Sequence, residues 1–437
     1  MISLDALKSL KSFQARSIIE GLRKGSVPVE YVPIFTVGRE KWFSYIEDDL
    51  ENYIAQGGAK VRFISGDYGD GKTHFMSVVR HLALKKGFAV SFVVLTREVP
   101  IHKFETVYQS IVRQLQGRFE GIGIRNLLTT WLETLAPEFQ GVKPKAATEK
   151  CIALAEEFRD IPDMDINFAN GLAALVKNRF APMEEGEDAQ SRKADWEILM
   201  HWFEGGKVTK RELKPFQIYE YLTKANARQL MNSLILFLRR SGHQGLILLM
   251  DEMETVVSMS ASVRNAAYEN VRLFIDNSET AQYLHIFFSI IPDVLISEKG
   301  FKSYDALWSR VRSIGESAGS TKRLNYRGVL VDIHQTPLQT QELADLGRCL
   351  RFLHSIAYRW SPREMVTDKV IADICKSQKK MGVISEVRLF IKQVIGVLDL
   401  AEQGHSPAQM DMARQMVETR KEMEEEKIKQ MAPSWDN

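Results

Sequence analysis

Gly66, Gly71, Lys72 and Thr73 stand in the order G-x-x-x-x-G-K-T, with Gly69 a third glycine inside the run. That spacing suits the holding of phosphate. Glycines let the backbone curl until successive N–H groups point at one centre, where phosphate oxygens replace water as acceptors. Lys72 brings a full positive charge to the β- and γ-phosphates, and the Thr73 hydroxyl can take a place on Mg²⁺. Asp67, Tyr68, Asp70 and His74 complete the candidate nucleotide loop. A second group lies far downstream, where the apolar run 246–250 ends in Asp251-Glu252. Asp251 suits Mg²⁺ coordination through water. Glu252 suits accepting a proton from an attacking water, a step that hydrolysis needs and mere binding does not. The bland alternatives are a glycine turn and a strand that ends in two acidic surface residues.

These groups need elements to position them. Residues 61–64 read as a short buried strand, and 74–85 carry helical apolar spacing at Phe75, Val78, Val79, Leu82 and Leu84. The β-rich run 88–95 is expected beside that first strand in a parallel sheet. Run 246–250 reads as a central strand, its carboxyl end lying where ligands bind in open α/β sheets. Further β-runs cover 284–291 and 328–333. Upstream, 4–23 predicts a helix closed by Gly25; Pro28 and Pro33 then force an extended connection before a helix from Lys41 to about residue 56. Residues 101–228 are mainly helical, broken at 143–145 and at the acidic 183–188. Within them Trp196, Trp202 and Phe203 read as core. Lys207-Val208-Thr209-Lys210-Arg211 reads as a solvated charged turn, with phosphate contact as the alternative.

Composition bounds the rest. The 437 residues are 45% hydrophobic and 26% charged, a globular balance too long for one core, so two or three domains are expected. A net charge of +2 excludes a generally basic surface, leaving nucleic acid to local patches such as Lys322-Arg323 with Arg327, or Lys376 with Lys379-Lys380. Solvated turns explain those patches equally. Three scattered cysteines, Cys151, Cys349 and Cys375, argue against zinc and disulfides and fit a reducing cytoplasm. No signal peptide and no membrane span is expected.

Several motifs add a resemblance. Val37-Gly38-Arg39-Glu40 upstream of the loop resembles the segment that covers the adenine base in AAA+ and related STAND ATPases. By the same resemblance Ser289 stands at the sensor-1 position, Arg388 at the sensor-2 position of a helical lid, and Arg310 where a neighbour's γ-phosphate is reached, Arg312 being the alternative. A surface ion pair or a core hydroxyl would account for these residues without any such role. The order of 15–20, 35–40, 66–73, 250–252 and 304–310 resembles the BREX-system ATP-binding domain family over about residues 10–400. That family implies a bacterial phage-defence ATPase, oligomeric, acting with helicase or methyltransferase components and with double-stranded DNA. No N-K-x-D tetrad is present, so ATP is expected over GTP, with Mg²⁺.

The expected fold class is α/β, a P-loop NTPase (AAA+/STAND-like) parallel sheet with a long helical insertion and a carboxyl-terminal helical lid or winged-helix-like region. Its expected divisions are 1–34 for the N-terminal helix and linker, 35–100 for the first part of the ATPase core, and 101–228 for the insertion. The second part of the core takes 229–335, the lid 336–408 and a charged tail 409–437. The function read from these motifs is ATP hydrolysis that drives or gates DNA or partner remodelling. The alternative is a nucleotide-gated binding switch with little turnover; a P-loop kinase fits the Asp251-Glu252 pair less well.

Overall fold

A computed structural model describes residues 7, 9–183, 188–276, 281–311, 324–383, 386–407 and 412–431. It contains one six-stranded sheet: β1 (Ala59–Ser65), β2 (Ala89–Val94), β3 (Leu115–Gln116), β4 (Leu246–Asp251), β5 (Leu284–Ile290) and β6 (Leu330–Asp332). The strand order is β3-β2-β4-β5-β1-β6. β2, β4 and β5 run parallel, and β3 pairs antiparallel at the edge. One expectation is thereby corrected. β2 lies beside β4, in register Ala89 with Leu246 through Val94 with Asp251, and not beside β1. The physical reason is that local pattern identifies a buried strand but does not say which buried edges pair.

The chain divides into two compact units, one of Met1–Ser44, Ile64–His81 and Val331–Asn437, the other of Tyr45–Phe63 and Leu82–Leu330. The first unit holds the glycine loop. Its helices Ser12–Arg23, Thr340–Tyr358, Asp368–Lys380 and Val387–Glu402 bury apolar stripes against one another, including Ile18, Ile19, Leu346, Leu350, Ile371 and Phe390. Gly347 makes a close crossing: a Cβ there would stand 2.6 Å from Ile371. Asp399 gathers Arg23 at 2.7 Å and His354 at 2.9 Å, tying the amino-terminal helix to the carboxyl-terminal ones.

The second unit holds the acidic strand and the helical stretch. β4 is buried along its whole length, as its unbroken apolar run requires of a central strand. Arg62 on β1 is also fully buried, its charge met by Asp49 and its Nη1 donating to the Tyr326 carbonyl at 3.0 Å. Helices Ile124–Phe139, Pro144–Arg159, Ile166–Phe180 and Ala189–Phe203 extend this unit's core. Pro144 opens its helix, and the Asp165 carboxylate caps the next one by accepting from the N–H groups of Asn167 and Phe168. Trp202 and Phe203 are buried, while Trp196 is half-buried and packs against the same core.

Candidate functional site

In the first unit, β1 ends at Ser65 and the chain curls through Gly66–Gly71 into the helix Lys72–Lys85. Gly69 and Gly71 have φ of +92° and +94°, a region that disfavours any side chain, so the curl depends on glycine there. The buried Lys72 amine folds back into the loop, donating to the carbonyls of Gly66 at 2.9 Å and Asp67 at 3.3 Å. It also stands 5.0 Å from the centre of the Tyr68 ring. The only full cation of the motif is thus held inside the curl, against a helix N-terminus, an arrangement suited to an anion.

The loop is fastened from several sides. Arg39 donates from Nη2 to the Asp70 carbonyl at 2.8 Å, while its buried Nε has no hydrogen-bond partner among the described residues. Burial works against the Arg39 charge, and the carboxylates of Asp70 and Glu342 counter that effect. Gly38 lies at φ +68° where a Cβ would stand 2.7 Å from both Leu338 and the Glu342 carboxylate, so the Val37-Gly38-Arg39 turn sits hard against the start of the helix Thr340–Tyr358. Thr36 gives its proton to the Val32 carbonyl at 2.7 Å, which leaves the hydroxyl as acceptor for His74 Nε2 at 3.1 Å. Burial, with Arg39 nearby, brings His74 down to about 3, so it is neutral at pH 7. At the other end, the Arg388 N–H donates to the Gly69 carbonyl at 3.2 Å, and the Arg388 side chain is exposed.

His334 is a residue that the motifs did not single out. It follows β6 and binds the fully buried Asp70 carboxylate through Nδ1 at 2.9 Å, with Asp67 at 3.6 Å. Burial raises the Asp70 carboxyl, and the hydrogen bond to Asp70 raises His334 above its ordinary value. The available signal was positional: His334 stands just past the carboxyl end of a strand, where α/β sheets gather ligands. Glu342, three residues past the Gln339 cap, carried none.

In the second unit, β4 and β5 are in register from Leu246 with Leu284 to Met250 with Phe288, which brings Ser289 opposite Asp251. The buried Ser289 hydroxyl donates to Asp251 Oδ1 and accepts from the Glu252 N–H at 3.0 Å. The same N–H reaches Asp251 Oδ1 at 3.0 Å. Glu252 itself adopts φ 60°, ψ 40°, uncommon for a residue with a side chain, and its carboxylate side is exposed. Asp251, Glu252 and Ser289 therefore form one fixed group. Arg310 is held elsewhere in this unit, bidentate on Asp276, which also receives Arg272 at 2.8 Å. Arg312, Lys322 and Arg323 lie outside the described residues.

The residues fit the groups that the motifs call for. A cation inside a glycine curl suits a polyphosphate, and the Thr73 hydroxyl and Asp251 carboxylate are oxygen donors of the kind Mg²⁺ takes. No helix of the described residues is long and apolar enough to cross a membrane. Comparison with curated proteins and with solved structures found no match. The description of the BREX system ATP-binding protein BrxC/D matches residues 10–418, and on that match the chain belongs to this family.

Proposed function

We propose that the chain is an AAA+-like ATPase of an anti-phage defence system, hydrolysing ATP at contacts between its own copies to drive or gate remodelling of DNA or a partner protein. The observation that carries this reading is the Lys72 amine held inside the glycine curl by the Gly66 and Asp67 carbonyls. On this reading the N–H groups of 66–73 and Lys72 bind the phosphates, with His74 neutral behind them. Val37, Gly38 and Arg39 cover the base, and Arg388 reaches the nucleotide from the lid. Thr73 and Asp251 hold Mg²⁺, which when bound neutralises charge on the terminal phosphates. Glu252 takes the proton of the attacking water, so that water oxygen bonds to the γ-phosphorus while ADP leaves. Ser289 fixes both carboxylate residues, and Arg310 of a neighbouring copy stabilises the transferring phosphoryl group. The partners would be helicase or methyltransferase components and double-stranded DNA, in the cytoplasm.

A second reading is favoured by one observation, the engagement of Arg310 by Asp276 within the same chain. If that pair persists between copies, nucleotide acts as a switch and turnover is incidental. Turnover measured against protein concentration, with and without duplex DNA, separates the two. The first reading expects a rate that climbs with concentration and vanishes in Lys72→Ala and Glu252→Gln. A slow rate, indifferent to concentration and DNA, would leave the switch.

A further inference from the structure

The segment between the helix Ala189–Phe203 and the helix Ala227–Arg240 takes no part in the nucleotide chemistry, yet it is firmly built. Val208, Leu213 and Ile218 recur at every fifth position and are buried, pinning the segment to the core. Between these anchors Lys210, Arg211 and Lys214 are exposed, as are Lys207 just before them and Lys224 beyond them. All three carboxylates of the segment are already used: Glu204 pairs with Arg125 at 3.0 Å. Glu212 accepts from the Thr209 N–H at 2.9 Å in a capping box, and Glu220 accepts from Asn226 at 3.1 Å. None of the five cations forms an ion pair among the described residues.

Past Ile218 the chain has no regular secondary structure, and buried side chains hold its backbone. The Tyr219 N–H donates to Asn167 at 2.8 Å, the Glu220 carbonyl accepts from Trp202 Nε1 at 2.9 Å, and the Tyr221 carbonyl accepts from Asn226 at 3.0 Å. Tyr219 and Tyr221 nevertheless remain 60% and 40% exposed. They stand two residues apart, each on a backbone group that a buried side chain fixes or adjoins. Two rings on a rigid backbone, flanked by unpaired cations, match the needs of an unstacked strand, whose bases offer π-faces and whose phosphates offer charge. A duplex would meet the cations but hides the faces of its bases.

We propose that residues 207–224 form a binding surface for single-stranded nucleic acid, with Tyr219 and Tyr221 stacking on bases and the five cations meeting phosphates. This surface is separate from the ATP reading. The test is fluorescence anisotropy on the full chain without nucleotide, using labelled oligo-dT and oligo-rU of roughly 20 nucleotides across about 50 to 200 mM salt. The two oligomers report whether DNA or RNA is preferred. Tyr219→Ala with Tyr221→Ala should weaken binding at least roughly tenfold while leaving the salt slope unchanged. Replacing Lys210, Arg211 and Lys214 by Ala should flatten the slope of log affinity against log salt by about 2. Lys72→Ala should bind the strand as the wild type does, so a failed ATPase leaves this result standing. The proposal is overturned if the wild type does not bind at low salt, if the tyrosine variant binds like wild type, or if duplex or polyglutamate is preferred.

Discussion

Ser289→Ala is the most informative single change at the acidic strand end. The hydroxyl is fully buried and sits between the Asp251 carboxylate, 4% exposed, and the Glu252 N–H. Its removal deletes a donor to a carboxylate and one of two acceptors for that N–H; the Asp251 contact to the N–H remains. A hydrogen bond to a charged buried group contributes about 1.5–3 kcal/mol, so about 2 kcal/mol is a fair central value. Glu252 is held in a left-handed conformation that itself costs about 1–3 kcal/mol, and it has less holding it there once Ser289 is gone. Thermal unfolding should fall by about 4–8 °C, given roughly 2–4 °C for each kcal/mol in a unit of this size. If Asp251 and Glu252 act as proposed, the same 2 kcal/mol corresponds to a roughly 30-fold slower turnover. Ser289→Thr keeps the hydroxyl and should lose less of either. The assay is a melting curve beside steady-state phosphate release. An alanine variant that melts and turns over like the wild type would refute the claim that Ser289 organises this strand end.

Other outcomes follow from the same geometry. Gly38→Ala forces a Cβ to within 2.7 Å of Leu338 and Glu342 at φ +68°, so ATP affinity should fall by an order of magnitude or more, read by calorimetric titration. Wild-type affinity would remove this turn from the site. His334 is raised by its bond to Asp70, so its contribution to stability is full below its ordinary value of 6.5 and is lost as pH rises through the raised value. Melting temperature should therefore decline from mildly acid to mildly alkaline pH, and His334→Ala should flatten that trend; an unchanged trend would sink the pairing. Burial pushes Cys349 up to about 12 and Cys375 up to about 11, so neither thiol should react with a disulfide reagent in the native chain at pH 8. Prompt labelling would mean that these helices open. Arg310→Ala should abolish turnover and spare ATP binding, and normal turnover in that variant would leave Arg310 as the partner of Asp276 alone.

What the sequence determined by itself is local. A glycine curl, a lysine and a following helix lie within about ten residues, and their meaning depends only on backbone freedom and charge carried by neighbours in the chain. Asp251-Glu252 was legible for the same reason, since an unbroken apolar run states that its end is a strand end. The neighbours of those groups were a different matter. His334 meets Asp70 across 264 residues, and Asp251 meets Ser289 across 38. Asp276, which engages Arg310, had no signature, because a carboxylate on an amphipathic helix looks the same whether it faces water or an arginine. The expectation that β2 pairs with β1 failed on the same ground: a strand's own residues do not say which neighbour its edge will meet until side chains pack. The buried Arg62 in β1 became explicable only when Asp49 was seen to meet it. Composition and periodicity set which groups exist and on which elements. Pairing between distant segments was decided by tertiary packing, where burial makes every unmatched charge and donor costly.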